Sequence, residues 1–242
     1  MKVVAILQAR LGSTRLPGKV LKEVQGKSLL EHQCERLSRC KSLSRQVVAT
    51  TTLEADQAIV QQCEDMGVAC FRGSESDVLE RYQFAAVAFQ AEVVVRLTSD
   101  CPLVDPHVVD QVVHLYLDSH FDYVSNCQRR TYPRGLDCEV FSARSLLIAH
   151  QEARLPQERE HVTPFFYTRP ERFSIGHHLF HRDLSGHRWT VDTEADFQLI
   201  EKVYDALYPG SPQFSMHDVL SVLEQHPEWV AINAEVQQKP LA

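Results

Sequence analysis

The segment Gln8-Ala9-Arg10-Leu11-Gly12-Ser13-Thr14-Arg15-Leu16-Pro17-Gly18-Lys19 gathers three cations, two glycines and two hydroxyls in one turn. A polyphosphate calls for that set. It needs backbone N–H groups, glycine where the chain must approach the anion closely, and positive side chains around several oxygens. A solvated basic turn has a similar composition, so the loop by itself leaves both readings open. It is not a phosphate loop of the G-x-x-x-x-G-K-[ST] kind, whose order of residues it does not have.

Two carboxylates stand at comparable places further on. Val93 to Leu97 is an apolar run followed by Thr98-Ser99-Asp100. A carboxylate at the carboxyl end of a parallel strand lies where ligands bind, and Mg²⁺ takes only one or two protein carboxylates, completing its shell with phosphate and water. Arg96, in the same run, is either a structural ion-pair partner or a nucleotide contact. Asp192 precedes Thr193, and Thr193 with Asp196 has the spacing of a helix capping box. Capping accounts for Thr193 and Asp196 but leaves Asp192 unexplained.

The elements around these residues follow a strand–helix rhythm. Val3 to Leu7 reads as a buried parallel strand, and a loop with Gly12, Pro17 and Gly18 follows it. Ser28 with Glu31 starts a helix. Val47 to Thr51 is a strand, Glu54 to Met66 a helix ended by Gly67, and Val68 to Phe71 a strand. Asp77 caps a helix with the face Val78, Leu79, Tyr82, Ala85, Ala86 and Phe89. Val93 to Leu97 is a strand, and Pro106 opens a helix to about Leu117. These units predict an α/β fold with a doubly wound, mostly parallel sheet, formed by one domain over residues 1–242. From Tyr123 the rhythm changes, and 126–141, with Pro133 and Gly135, reads as a hairpin or lid leaving the sheet. Ser142 to Arg154, Glu158 to Thr168 and Glu194 to Leu207 are expected helices, and Ser215 caps another. Ser174 to Phe180 and Arg188 to Val191 are expected strands. Gln237 to Ala242 is expected to fray.

Composition narrows the partners. The net charge is −7, so no global basic field draws nucleic acid. Arg outnumbers Lys 18 to 7, which favours small anions with phosphate or carboxylate groups. Seven cysteines, an odd number without a C-x-x-C pair, read as reduced thiols and point to the cytoplasm. Val3 to Leu7 is too short for a secretory core, and no apolar run approaches a membrane span. His177, His178, His181 and His187 fit a half-exposed strand and loop better than a metal motif.

The pattern Arg10-x-x-Ser13-x-Arg15-x-Pro17-x-Lys19 after a first strand resembles the signature of the cytidylyltransferases that make CMP-activated acidic sugars. Within them, LQARLGSTRLPGKVL resembles the spore coat polysaccharide branch. FRGSESDVLERY (71–82), VVVRLTSDCPLVDP (93–106), TYPRGLDCEVFS (131–142), REHVTPFFY (159–167) and RWTVDTEADFQLI (188–200) resemble further family segments, so the likeness spans most of residues 1–208. It implies CMP transfer from CTP to a small acidic sugar with release of pyrophosphate. Arg10, Arg15 and Lys19 would act on the phosphates, and Asp100 and Asp192 would hold Mg²⁺. Gln8, Ala9, Gly12, Ser13, Arg72, Asp77, Arg81, Arg96 and Thr98 would complete the nucleotide site, although Asp77 is equally well a helix cap and Arg81 a solvated helix residue. Arg134, Asp137, Glu139, Glu160 and His161 would line the acceptor half, or lie as surface charges on a hairpin and helix. The family also implies a homodimer built through the 126–141 excursion. Two rivals remain. A metal-dependent glycosyltransferase should show a D-x-D pair, which Ser99-Asp100-Cys101-Pro102 does not. A nucleotide-binding module without catalysis should have lost a metal carboxylate, and both are here.

Overall fold

The computed structural model describes residues 1–238. The expected fraying segment, from residue 239 on, lies outside them. Seven strands form the main sheet in the order β5-β4-β1-β6-β8-β7-β9. They are β1 (Val3–Gln8), β4 (Arg45–Thr51), β5 (Ala69–Gly73), β6 (Val93–Thr98), β7 (Tyr123–Ser125), β8 (Glu139–Ser142) and β9 (Ile175–His177), while β2 (Glu23–Val24) and β3 (Lys27–Ser28) make a small separate hairpin. Strands β5, β4, β1 and β6 run parallel, as the doubly wound reading requires.

Strand β1 shows why such runs read as continuously apolar. Its Val3, Ala5 and Leu7 enter the core on one face of the sheet and Val4 and Ile6 the core on the other. Both faces are covered, so no polar alternation survives. The first face packs α1 (Leu29–Leu37), α2 (Gln57–Met66), α4 (Pro106–Leu117), α8 (Glu194–Leu207) and α9 (Met216–Gln225). The second packs α3 (Val78–Ala88), α5 (Ala143–Glu152) and α7 (Pro164–Tyr167). The boundaries of α4 and α8 match those read from the sequence, because Asp105 with Pro106, and Thr193 with Asp196, are strong start signals. Gly67, at φ 65°, ends α2 in the left-handed conformation that glycine adopts at low cost.

Three expectations are corrected. The excursion is shorter than 126–141: residues 126–138 join the adjacent antiparallel strands β7 and β8. Glu139, Val140 and Phe141 lie in β8, antiparallel to and between β6 and β7, and Tyr132, Leu136 and Cys138 of the preceding loop are core residues. The single helix expected over Glu158 to Thr168 is two, α6 (Pro156–His161) and α7, separated by Val162 at φ 69°. Pro164 has no amide to continue the first helix but suits the first turn of a second. Arg188 to Val191 is extended without being a strand. Its single bridge pairs Arg188 with Arg134, and the Val191 amide instead reaches the Asp100 carbonyl at 2.8 Å. The short helix α10 (Pro227–Val230) and a 3₁₀ turn, Ala231–Asn233, close the described chain. No helix among the described residues is long and apolar enough to cross a membrane.

Candidate active site

Strand order reverses at β1, which has β4 on one side and β6 on the other. The crevice beyond the carboxyl ends of such strands is where ligands bind in open α/β sheets. Gln8 and Thr98 sit side by side at that edge, and the basic loop leaves from it. The loop backbone is held from below. Ala9 donates to the Ala49 carbonyl at 3.1 Å, Leu11 to the buried carboxylate of Asp56 at 2.8 Å, and Gly18 back to Leu11 at 3.1 Å. Gly18, at φ 68°, turns the chain into the 3₁₀ turn that carries Lys19. A Cβ on Gly12 would meet nothing within 4 Å.

Lys19 points across the crevice. Its ammonium donates to Asp192 Oδ1 at 2.8 Å, to the Val191 carbonyl at 2.7 Å and to Asp100 Oδ2 at 3.3 Å. Arg15 reaches Asp192 Oδ2 at 2.9 Å. Three of the five residues expected to act on phosphate and metal, with both carboxylates among them, thus converge on one point, and Arg15 joins them. Arg10 is exposed at the rim. Burial alone would lower the Lys19 pKa, but the two facing carboxylates outweigh it and raise it, so this is a firmly charged ammonium. Burial pushes the Asp192 pKa up, and Lys19, Arg15 and Arg188 together bring it below the usual value. Two hard oxygen donors that share one cation are a donor set suited to Mg²⁺, with phosphate and water completing the shell.

The other expected nucleotide residues divide. Arg72 wraps the turn after β4, donating to the carbonyls of Thr51 and Leu53 and to Gln57 Oε1 at 2.8–3.0 Å. Asp77 caps α3 through the Glu80 amide at 2.8 Å and pairs with Arg159. Both are occupied within the fold. Arg81 is not the solvated helix residue that its position allowed. It is 1% exposed, and its Nε and Nη1 have no protein partner. Burial, with the neighbouring Arg10, lowers its pKa. A buried guanidinium with unmet donors costs free energy unless an acceptor reaches it. Ser13 Oγ accepts from the Leu16 amide at 3.4 Å, shaping the loop. Thr98 contributes its carbonyl to Gln33 at 2.9 Å.

The acceptor candidates form two groups on the β6–β8 side. Glu139, buried, binds Arg96 and accepts from Tyr123 Oη at 2.5 Å, while Arg96 also reaches Gln8 Oε1 at 3.2 Å. Arg96 is therefore an ion-pair partner that links the two halves of the crevice. His161, half-buried, lies in the field of the same pair, and burial lowers its pKa. In the second group Arg130 grips Asp137 through two bonds of 2.6 and 2.7 Å, and Arg134 lies beside Arg188. Glu160 is exposed. Sequence reading missed Arg130, Tyr123 and Arg188. Only Arg188 left a signal, the spacing of four residues from Arg188 to Asp192 and four more to Asp196.

A doubly wound sheet whose switch-point crevice joins a basic loop to two carboxylates defines a nucleotidyltransferase-type site. The cytidylyltransferase family model matches residues 4–215, and the chain belongs to the cytidylyltransferase family. It is 32% identical over 244 residues to the spore coat polysaccharide biosynthesis protein SpsF of Bacillus subtilis, covering 93% of this chain and 95% of that one. A cytidylyltransferase structure from Leptospira borgpetersenii superposes with a TM-score of 0.92 at 34% identity, covering 99% of both chains. A CMP:2-keto-3-deoxy-manno-octonic acid synthetase complexed with CTP shares the fold, with a TM-score of 0.66 at 19% identity over 85% of this chain and 99% of that one.

Proposed function

We propose that the protein transfers the cytidylyl group of CTP to a hydroxyl of an acidic sugar of the nonulosonic or octulosonic kind, for surface polysaccharide or glycan synthesis. The observation that carries this reading is the convergence of Lys19, Arg15, Asp100 and Asp192 at the carboxyl end of β1 and β6. The acceptor hydroxyl gives up its proton to solvent, its oxygen forms a bond to the α-phosphorus in line, and the bond from that phosphorus to the α–β bridging oxygen breaks. Pyrophosphate leaves with the electron pair. Protein work in such chemistry is mostly positioning and charge stabilisation. Arg10, Arg15 and Lys19 surround the β and γ phosphates and oppose the charge that grows on the leaving group. Asp100 and Asp192 would hold Mg²⁺, which would neutralise phosphate charge and lower the pKa of the acceptor hydroxyl. Gln8, Ala9, Gly12 and Ser13 line the nucleotide path.

On the acceptor side, Arg134 and His161 keep polar groups available, whereas Glu139 and Asp137 act by holding Arg96 and Arg130 in place. Reading the acceptor as an acid rests on the Arg134 guanidinium and on the family. A homodimer in the cytoplasm is part of the same proposal, and sedimentation at micromolar concentration tests it.

The deciding experiment supplies CTP, Mg²⁺ and a panel of acidic sugars and measures pyrophosphate. Equal yields of pyrophosphate and CMP-sugar are expected with at least one acceptor. Release of a nucleoside diphosphate from a nucleotide sugar would instead establish a glycosyltransferase. CTP binding without turnover on any acceptor would leave a nucleotide-binding module.

A further inference from the structure

We infer that Arg188, Asp196 and Asn233 form a positioning unit for the Asp192 carboxylate, so that the 3₁₀ turn near the end of the described chain belongs to the metal half of the site. The inference rests on the reading of Asp192 as a metal ligand. Asp192 has no strand beneath it, since 188–191 carries only the Arg134 bridge and the bond from the Val191 amide to the Asp100 carbonyl. Its carboxylate must be placed by side chains.

Arg188 does so directly. Nη2 donates to Asp192 Oδ2 at 2.9 Å, and the same guanidinium is forked onto Asp196, with Nε at 2.8 Å and Nη2 at 3.2 Å. Asp196 is fully buried. It also accepts from the amides of Asp192 and Thr193 and from the Thr193 hydroxyl, each at 3.0 Å. A capping box asks only for the Thr193 exchange. The fork to Arg188 and the bond to the Asp192 amide exceed it, and both lead to Asp192.

Asn233 closes the unit from 37 residues away. It is 4% exposed and donates to Asp196 Oδ1 at 2.8 Å and to the Arg188 carbonyl at 3.0 Å. One amide thus fixes both the backbone and the counter-ion of Arg188. The division of labour at Asp192 follows. Oδ2 is tied down by Arg188 and Arg15, while Oδ1 meets the Lys19 ammonium, the point it shares with Asp100 Oδ2. Partners that orient a ligating carboxylate typically govern metal affinity by about 10- to 100-fold.

The test is Mn²⁺ binding to the protein with CTP present and no acceptor, read by electron paramagnetic resonance. CTP binding in a chelator and thermal unfolding are measured in parallel. Asn233→Ala and Arg188→Lys are expected to weaken Mn²⁺ by roughly 10-fold or more while CTP binding in the chelator stays within about two-fold. Asp192→Asn is the reference. If Asp192→Asn binds Mn²⁺ as the wild type does, the metal reading itself fails. If Asp192→Asn weakens Mn²⁺ but Asn233→Ala and Arg188→Lys, both folded, do not, the metal reading stands and the unit is only a helix cap.

Discussion

Asp100 and Asp192 serve one point in space but are placed by opposite means. Asp100 lies in the turn two residues past β6, where the Ser99 amide is bonded to the Gln8 carbonyl at 3.1 Å and the Asp100 carbonyl accepts from the Val191 amide at 2.8 Å. Its side chain has few partners, the Lys19 ammonium at 3.3 Å and the Cys101 thiol at 3.4 Å. Asp192 lies on an irregular segment and is gripped by Lys19, Arg15 and Arg188, with Asp196 and Asn233 behind them. A strand end positions a functional group through backbone geometry. An irregular segment relies more on the charges that surround the group. The first scheme tolerates change in neighbouring side chains, whereas the second spreads the site over residues with no contact to any ligand.

The largest expected effect falls on the two carboxylates alike. Asp100→Ala and Asp192→Ala should each lower turnover by at least about 100-fold in the pyrophosphate assay, the scale of losing one preorganised charge contact in a transition state. If only one of them matters, the shared point is not a metal site and the comparison collapses. Lys19→Ala should cost about 10- to 150-fold in kcat/KM, equivalent to roughly 1.5–3 kcal/mol for a charged hydrogen-bonded contact. It should also have an opposite effect. Nζ sits between the carboxylates, so removing it should tighten Mn²⁺ binding without nucleotide, measured by the same resonance titration.

The β6 side was the more legible of the two. An apolar run that stops at Thr98-Ser99-Asp100 announces a strand end and its carboxylate within one stretch, and β1 with its basic loop is readable in the same way. Asp192 was legible mainly through resemblance. Its strand expectation was wrong because alternating residues cannot reveal that successive amides bond to different partners. Asn233 carried no signal, since its bonds reach back 37 and 45 residues. The Arg96–Glu139 pair was hidden for a related reason. It depends on β8 entering the sheet antiparallel beside β6, which the turn residues of 126–138 disguise as an excursion. Arg81 on α3 sat one turn from a predicted apolar face, and only packing shows it to be buried.

Gly135 links the two regions. At φ +108° its backbone lies against the 188–191 segment, and a Cβ would stand 2.6 Å from the Trp189 carbonyl carbon and 2.7 Å from the Thr190 nitrogen. No flexible side chain is there to yield. Gly135→Ala should destabilise the protein by about 1–3 kcal/mol, the cost of such backbone strain, visible as a lower thermal midpoint. It should disturb Asp192, carried by the displaced segment, and with it Asp100, whose carbonyl that segment holds, so Mn²⁺ affinity should fall along with stability. Gly12→Ala, in open space, should leave the midpoint nearly unchanged.

The smallest effect is the pH dependence of the Asp192 clamp. Burial pushes the Asp196 pKa up, and Arg188, Asn233 and the Asp192 amide bring it below its ordinary value. A folded pKa below the unfolded value of about 3.9 means that, between the two, the unfolded chain binds a proton that the folded chain refuses. The stabilisation is therefore present above about pH 4 and is lost as pH falls through the folded pKa. Urea unfolding between about pH 5 and 3 should show this loss in the wild type and a shallower one in Asp196→Asn, which should already be less stable at pH 7. The pair of Glu152 and Arg172, exposed and screened, should contribute little to the slope. An acid limb unchanged by Asp196→Asn would mean that this carboxylate has the same pKa in the folded and unfolded chain, so that its partners give the charged form no net advantage. The Asp192 clamp would then draw no charge stabilisation from Asp196 and would rest on the direct contacts of Lys19, Arg15 and Arg188.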